Sequence, residues 1–370
     1  MAEKKLSVAI VCDWLLGIGG AERVVLEMHK LYPNAPIYTS QYDKTAIDWF
    51  DDADVRTTWL QHLPKSLKKF LPILRAWTFA RLDLSEYDLV ISSSGAEAKG
   101  IHTRKDAIHI NYCHSPTQYY WIRTNEYLKN PGFSYGLNWL AKLGLKFFIE
   151  PLRQWDKHAA KRPTVMIANS THTQKMIKRY YKRDSIVIFP PVDYDRLKLK
   201  SNPPARHGLM VAGRQTPYKK FDLAIETCNE LKIPLIVIGT GPDHKRLEKM
   251  ADRNITFLTN VNDSEIVNHF QSSLGFIMPN MDDFGIVAVE ALAAGTPVLA
   301  FNKGGSMDYV KDNKNGFFFE KQTVKSLSEA IDKLQKRNFN YEQISAEAEI
   351  FSIDNFRINL KNFIDQLLAE

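Results

Sequence analysis

Arg214 and Lys219 stand five residues apart in Gly213-Arg214-Gln215-Thr216-Pro217-Tyr218-Lys219-Lys220-Phe221-Asp222. On a strand-to-helix loop, two such cations can converge on one diphosphate, the guanidinium as a bidentate fork and the ammonium as a point charge. A solvated basic loop would have the same composition. Further along, Asp282-Asp283-Phe284-Gly285-Ile286-Val287-Ala288-Val289-Glu290 reads as a loop entering a helix at Gly285–Ile286. The amides of Gly285, Ile286 and Val287 would then face an anion, with the positive end of the helix dipole behind them. Asp282 and Glu290, eight residues apart, make a carboxylate pair suited to sugar and ribose hydroxyls. Near the N-terminus, Asp13-Trp14-Leu15-Leu16-Gly17-Ile18-Gly19-Gly20-Ala21-Glu22-Arg23 has glycines that let backbone approach a ligand closely, and the same glycines would serve a plain tight turn. Their spacing fits neither the GxGxxG dinucleotide fingerprint nor a Walker loop.

These loops need a scaffold, and the hydropathy pattern supplies one. Strand-like runs at Leu6–Cys12, Ile37–Thr39, Leu89–Ser92, Ile108–Cys113 and Val165–Ala168 alternate with helical periods, as in the amphipathic stretch Ala21 to Tyr32. A second series runs through Gly208–Ala212, Leu235–Ile238, Thr256–Leu258, Gly275–Met278 and Val298–Ala300. This is the βαβ rhythm of open parallel sheets, repeated as two α/β units in tandem. Between them, Phe189-Pro190-Pro191-Val192-Asp193 and the basic stretch through Lys200 to Asn202-Pro203-Pro204 read as a linker. The expected division is 1–200, 201–350, and a C-terminal helical stripe over 351–370 that covers one of the two units.

The bulk composition agrees with this reading. At 370 residues, with 44% hydrophobic and 25% charged residues, the chain is of globular type and long enough for about two domains. Its three cysteines, Cys12, Cys113 and Cys228, are too scattered for a disulfide framework or a zinc knuckle and are expected buried and reduced, as in the cytosol. The N-terminal apolar run is too short for a signal peptide, and no stretch reaches about 18 uninterrupted apolar residues, so a soluble or at most monotopic protein is expected. Residues 1–200 carry 30 Lys and Arg against 20 Asp and Glu, whereas residues 201–370 carry 19 against 22. The first half alone holds the basic excess, which points to an anionic partner there. No nucleic-acid reader motif accompanies it.

Taken together, Gly19-Gly20-Ala21-Glu22-Arg23, the Arg214/Lys219 loop and the acidic loop-helix resemble the family-4 retaining glycosyltransferases of GT-B fold. Asn111-Tyr112-Cys113-His114-Ser115-Pro116, Ala168-Asn169-Ser170 and Pro190-Pro191-Val192-Asp193 resemble the bacterial surface-polysaccharide branch, O-antigen mannosyltransferases included. The resemblance implies an α/β chain of two Rossmann-like domains facing across a cleft, the acceptor held by the first and a GDP- or UDP-hexose by the second. It implies diphosphate contacts from Arg214 and Lys219, ribose contact from Glu290, and sugar contact from Asp282. It places His114 as the family's active-site histidine, Gly19 and Gly20 against the donor, and Asp13 and Glu22 on the acceptor side. A lone histidine after a strand is otherwise more often structural.

The family pattern is Glu-x7-Glu, and here the first acid is Asp282, one methylene shorter. No metal or cofactor is expected: Asp52-x-Asp54 follows Trp49-Phe50 in an expected surface turn, and fixed cations and backbone dipoles can stabilise the leaving diphosphate. The resemblance implies retention by same-face attack, the leaving phosphate taking the acceptor proton, with Asp13 or His114 as conceivable helpers. Leu63–Trp77 and Tyr135–Trp155 interleave aromatic and basic residues and suit either an anionic membrane surface or ordinary core helices. The reading is a hexosyltransferase, peripheral on the inner face of the cell membrane, acting on a lipid-linked or oligosaccharide acceptor. The alternatives are a non-catalytic binding subunit and a sugar-nucleotide epimerase of the same fold.

Overall fold

A computed structural model describes residues 6–63, 71–124, 138–200 and 204–369, with 138–146 as helix backbone only. The chain divides into two compact units, Met1–Phe189 with Arg357–Glu370, and Pro190–Phe356.

The first unit is built on seven parallel strands: β1 (Val8–Cys12), β2 (Ile37–Thr39), β3 (Val55–Thr57), β4 (Leu89–Ser94), β5 (Ile108–Cys113), β6 (Val165–Ala168) and β7 (Ile186–Val187). Their spatial order is β3-β2-β1-β4-β5-β6-β7. The second unit has six, β8 (Leu209–Ala212), β9 (Leu235–Ile238), β10 (Ile255–Leu258), β11 (Gly275–Met278), β12 (Val298–Phe301) and β13 (Gly316–Phe319), in the order β10-β9-β8-β11-β12-β13. Both are doubly wound, Rossmann-like sheets. The near-continuous apolar runs follow from this, because a parallel sheet covered by helices buries both faces. Ala9, Ile10 and Val11 are fully buried in the first sheet, as are Val237, Ile277 and Leu299 in the second.

In each sheet the winding direction reverses beside the first strand, between β1 and β4 and between β8 and β11. Loops leaving the carboxyl ends of strands at such a reversal diverge and leave a crevice, the usual ligand position in open α/β sheets. The loops containing Asp13, Gly95, Arg214 and Asp282 all leave from these four strands.

The edge strands β3, β7 and β13 are additions to the ten runs expected from the sequence. The linker is also shorter than the proline pairs suggest. Asp193 caps the short helix Tyr194–Leu197, and Val192 and Leu197 are buried, so this stretch packs within the second unit. The C-terminal stripe is the helix Ile353–Ala369, with Phe356, Leu360 and Ile364 buried. Its residues from Arg357 onward belong to the first unit, where Arg357 donates to the buried Glu27 at 2.6 Å. Residues 64–70 and 135–137 of the two aromatic-basic stretches, and 201–203 of the linker, lie outside the described residues. Among the described residues, no helix is long and apolar enough to cross a membrane.

Candidate active site

In the second unit, β8 ends at Gly213, whose φ of +135° turns the chain sharply before Arg214. The loop is fixed from behind. Gln215 is fully buried, donating to the Gly239 carbonyl at 2.7 Å and sharing a 2.6 Å hydrogen bond with His244. With Gln215 held inside, Arg214 is exposed and Lys219 partly so. Lys219 Nζ donates to Asp282 Oδ2, joining the loop after β8 to the loop after β11 at the reversal of the sheet.

The acidic loop is clamped by its neighbours. Gly305 donates its N–H to the Asp282 carbonyl at 2.9 Å, and the buried Tyr309 hydroxyl donates to the Phe284 carbonyl at 2.9 Å. Gly285 then takes φ +90° and caps the helix Ile286–Ala293. Only glycine fits here, since a Cβ would lie 2.3 Å from Met278 Cε and 2.7 Å from the Tyr309 hydroxyl. The first-turn amides of this helix have no intrahelical acceptors, as at any helix start. Glu290 lies on the same helix, partly buried. The structure thus brings together Lys219 and Asp282 by direct contact, and sets Gly285, Ile286, Val287 and Glu290 on the segment that follows.

The first unit contributes a different arrangement. Asp13 is buried, and its carboxylate accepts N–H groups from Gly95 at 2.8 Å, Ala96 at 2.9 Å and Ala98 at 2.8 Å. Both oxygens are therefore engaged with the loop after β4, and a role as proton acceptor for a substrate conflicts with this geometry. Burial pushes the Asp13 carboxyl up to about 6, the Glu97 charge adds to the rise, and the Ala98 N–H, the Lys99 charge and the Gly95 N–H oppose it. Gly19 caps the helix Gly20–Leu31, and Glu22 sits in its first turn. Burial raises Glu22 to about 7, and Asp13 adds its charge. His114 follows β5; its Nε2 and Ser93 Oγ share a 2.7 Å hydrogen bond, and burial pushes its pKa down to about 4. The ring is neutral at pH 7, which suits a hydrogen-bonding partner of sugar hydroxyls better than a general base.

Beneath these loops lies a buried ionic network that the sequence reading missed. Lys99 pairs with Asp156 at 2.7 Å, and Asp156 also accepts from Thr117 at 2.9 Å, Trp121 at 2.7 Å and Tyr181 at 2.8 Å. Burial acts to lower the Lys99 pKa, but Asp156 outweighs it and the net shift is upward. Arg75 pairs with the fully buried Glu97 at 2.8 Å and lies 4.6 Å from the Trp14 ring. Removing either partner of such a pair leaves a buried charge, at a cost of about 3–5 kcal/mol. Arg75 is one of the basic residues of the Leu63–Trp77 stretch, and it faces the interior. A polar pattern on a helix does not distinguish an outward arginine from one with a buried carboxylate to meet.

Residues 199–350, nearly the whole second unit, match the family described as glycosyl transferases group 1. The match lies within the second unit and covers less than half of the chain. Over the longer chain, the alpha-1,3/1,6-mannosyltransferase ALG2 of Mus musculus is 23% identical over 424 residues, covering 95% of this chain and 94% of that one. A GDP-mannose-dependent alpha-(1-6)-phosphatidylinositol monomannoside mannosyltransferase of Mycobacterium tuberculosis is 28% identical over 181 residues, covering 40% of this chain and 46% of that protein. With that relative, as with others, the chain aligns over only about half of the relative's length. Among solved structures, HepE from Anabaena, crystallised with UDP and glucose, superposes with a TM-score of 0.70 at 18% identity, covering 97% of this chain and 99% of that one. Two parallel Rossmann-like halves with such neighbours define the GT-B fold, the family match lying in the second half.

Proposed function

We propose that the chain is a retaining, metal-independent hexosyltransferase that moves a hexose, with mannose favoured, from a nucleoside diphosphate sugar to a lipid-linked or oligosaccharide acceptor. The observation that carries this reading is the Lys219–Asp282 contact, which joins the two reversal-point loops of the second unit next to Arg214 and the Gly285 helix start. Cations, a helix N-terminus and carboxylates in one crevice are the donor set that a diphosphate attached to sugars requires.

In this reading Arg214 and Lys219 neutralise the charge that grows on the leaving diphosphate, and the Gly285, Ile286 and Val287 amides take its oxygens. Glu290 accepts from ribose hydroxyls and Asp282 from the transferred sugar. From the first unit, Gly19 and Gly20 allow close backbone approach to the donor, neutral His114 bonds a sugar hydroxyl, and Glu22 faces the acceptor. Asp13 acts by holding the β4 loop. Attack on the same face as departure lets the leaving phosphate take the acceptor proton, so no protein base is required. The mannosyl preference draws on the names of the two mannosyltransferase relatives, one of them GDP-mannose-dependent, while HepE was solved with UDP. We place the enzyme in surface-polysaccharide synthesis, peripheral on the inner face of the cell membrane.

The test is calorimetric titration with UDP, GDP and ADP in EDTA, comparing the parent with Arg214→Ala and Lys219→Ala. One nucleotide should bind, and each substitution should weaken it about 10–100-fold, the equivalent of one or two charged hydrogen bonds. The matching sugar nucleotide should then yield a product with the donor's anomeric configuration by NMR. Binding indifferent to both substitutions would refute the donor site, and binding only with magnesium or manganese would refute metal independence.

A further inference from the structure

The helix Leu71–Phe79 is packed against expectation. Arg75 and Thr78 are buried in the first unit, whereas Ile73 and Trp77, one turn apart on the opposite face, are 41% and 50% exposed. Beside them Trp59, on the short turn Trp59–His62, is 46% exposed. The two indoles meet edge to face, with centroids 6.3 Å apart and planes at 87°. Trp59 has already satisfied its own polar group, since its Nε1 donates to Thr78 Oγ1 at 3.0 Å, so the part left outside is hydrocarbon. The exposed Arg81 lies 4.1 Å from the Trp77 ring centroid and supplies a cation at the edge of the patch. An isolated exposed hydrophobe is ordinary, but two tryptophans and an isoleucine in one place mark a surface that meets something.

We propose that Trp59, Ile73, Trp77 and Arg81 form a docking surface for an anionic lipid bilayer. Indoles favour the headgroup boundary, where an apolar ring sits beside polar groups, and an arginine beside them reaches lipid phosphates. Charge complementarity supports an anionic occupant over a neutral or basic one, since the first 200 residues carry 30 basic against 20 acidic residues, and the paired indoles favour a bilayer boundary among anionic surfaces. The inference deepens the membrane part of the proposed function by naming the surface, and its test does not involve catalysis.

The full-length protein is floated with phosphatidylcholine vesicles with and without phosphatidylglycerol. It should rise with the phosphatidylglycerol vesicles. Trp59→Ser/Trp77→Ser should reduce the bound fraction at least about tenfold, the loss expected when two indoles no longer leave water. Arg81→Glu should weaken binding to the anionic vesicles and leave the weak neutral-vesicle binding unchanged. Circular dichroism and nucleotide calorimetry on the same variants report folding and the donor site separately. Should the serine pair unfold, quenching of parent emission by acyl-brominated lipid is compared with Trp59→Phe/Trp77→Phe, and equal quenching overturns the proposal. So does a parent that leaves the vesicles unbound, a serine pair that binds as the parent does, or a serine pair that only turns an oligomer into a monomer. Vesicle binding through these residues without nucleotide binding would defeat the transferase reading and leave this one standing; the reverse result would do the opposite.

Discussion

A single methyl group at Gly305 tests whether the acidic loop must be held in place. An added Cβ would lie 2.4 Å from the Asp283 carbonyl oxygen and 2.4 Å from Phe284 Cα, both backbone atoms. Carbon atoms pack at about 3.5–4.0 Å, so the Asp282–Phe284 segment must retreat by roughly 1 Å. Overpacking of this kind costs about 2 kcal/mol, or roughly 4–8 °C in melting temperature for a unit of this size. The displaced segment carries the Lys219 partner and leads into Gly285, and a misplacement of about 1 Å near a reacting centre costs about 10²-fold in rate. Gly305→Ala is therefore expected to melt earlier and to lose kcat more than it loses nucleotide affinity. Gly17→Ala, whose Cβ meets nothing within 4 Å, controls for the melting temperature. Differential scanning calorimetry and a coupled assay of nucleotide release read both effects. Unchanged melting and unchanged kcat in Gly305→Ala would refute the idea that the Gly304-Gly305 turn positions Asp282.

Asp13→Asn turns one acceptor oxygen into a donor facing backbone N–H, leaving at least one buried donor unmet. It should destabilise the first unit by about 1–3 kcal/mol in denaturant titration, and no change would show that the carboxylate does not hold the β4 loop. The folded pKa of His114, about 4, lies below the ordinary 6.5. Stability from this ring is complete above pH 6.5 and is lost as pH falls toward 4, because only the unfolded chain takes up the proton there. His114→Gln should therefore flatten the acid side of the stability curve by up to about 3 kcal/mol, while His109, pushed down to about 3, keeps its own share; a curve parallel to the parent's refutes the assignment. Tyr309→Phe leaves the Phe284 carbonyl without its 2.9 Å donor and should cost about 1–2 kcal/mol together with a fall in kcat, measured by melting and turnover.

The sequence was legible where one physical rule dominates. Runs such as Val8–Cys12 and Leu235–Ile238 stand out because a doubly covered parallel sheet admits little else. The helix start at Gly285 was readable because glycine before an apolar helical run, after a strand, leaves few conformations. What escaped notice depended on distant partners. Val55–Thr57 is a strand because Ile37–Thr39 offers its edge, and its own Val-Arg-Thr has no distinguishing pattern. Lys99 and Asp156 are 57 residues apart in the chain, and only the folded unit brings them to 2.7 Å. Asp13 was expected on the acceptor side, but its carboxylate meets backbone amides, which no side-chain pattern reveals.

The two sheets solve the same mechanical problem in chemically different ways. Where the winding reverses, two loops diverge, and each unit ties them together with one carboxylate. In the first unit the tie is Asp13 to the backbone amides of Gly95, Ala96 and Ala98, buried and made of groups that have no alternative partner in water. Breaking it exposes three donors inside the protein, so it acts as scaffold. In the second unit the tie is Asp282 to Lys219, two side chains that keep 16% and 22% of their exposure. An ion pair in contact with water contributes little stability and exchanges partners at low cost. In the proposed donor site a diphosphate at Arg214 would compete for Lys219 directly, whereas Asp13 is 7% exposed and already holds three backbone amides. The exchangeable tie therefore lies in the second unit and the fixed one in the first, a difference that agrees with the proposed placing of the donor in the second unit.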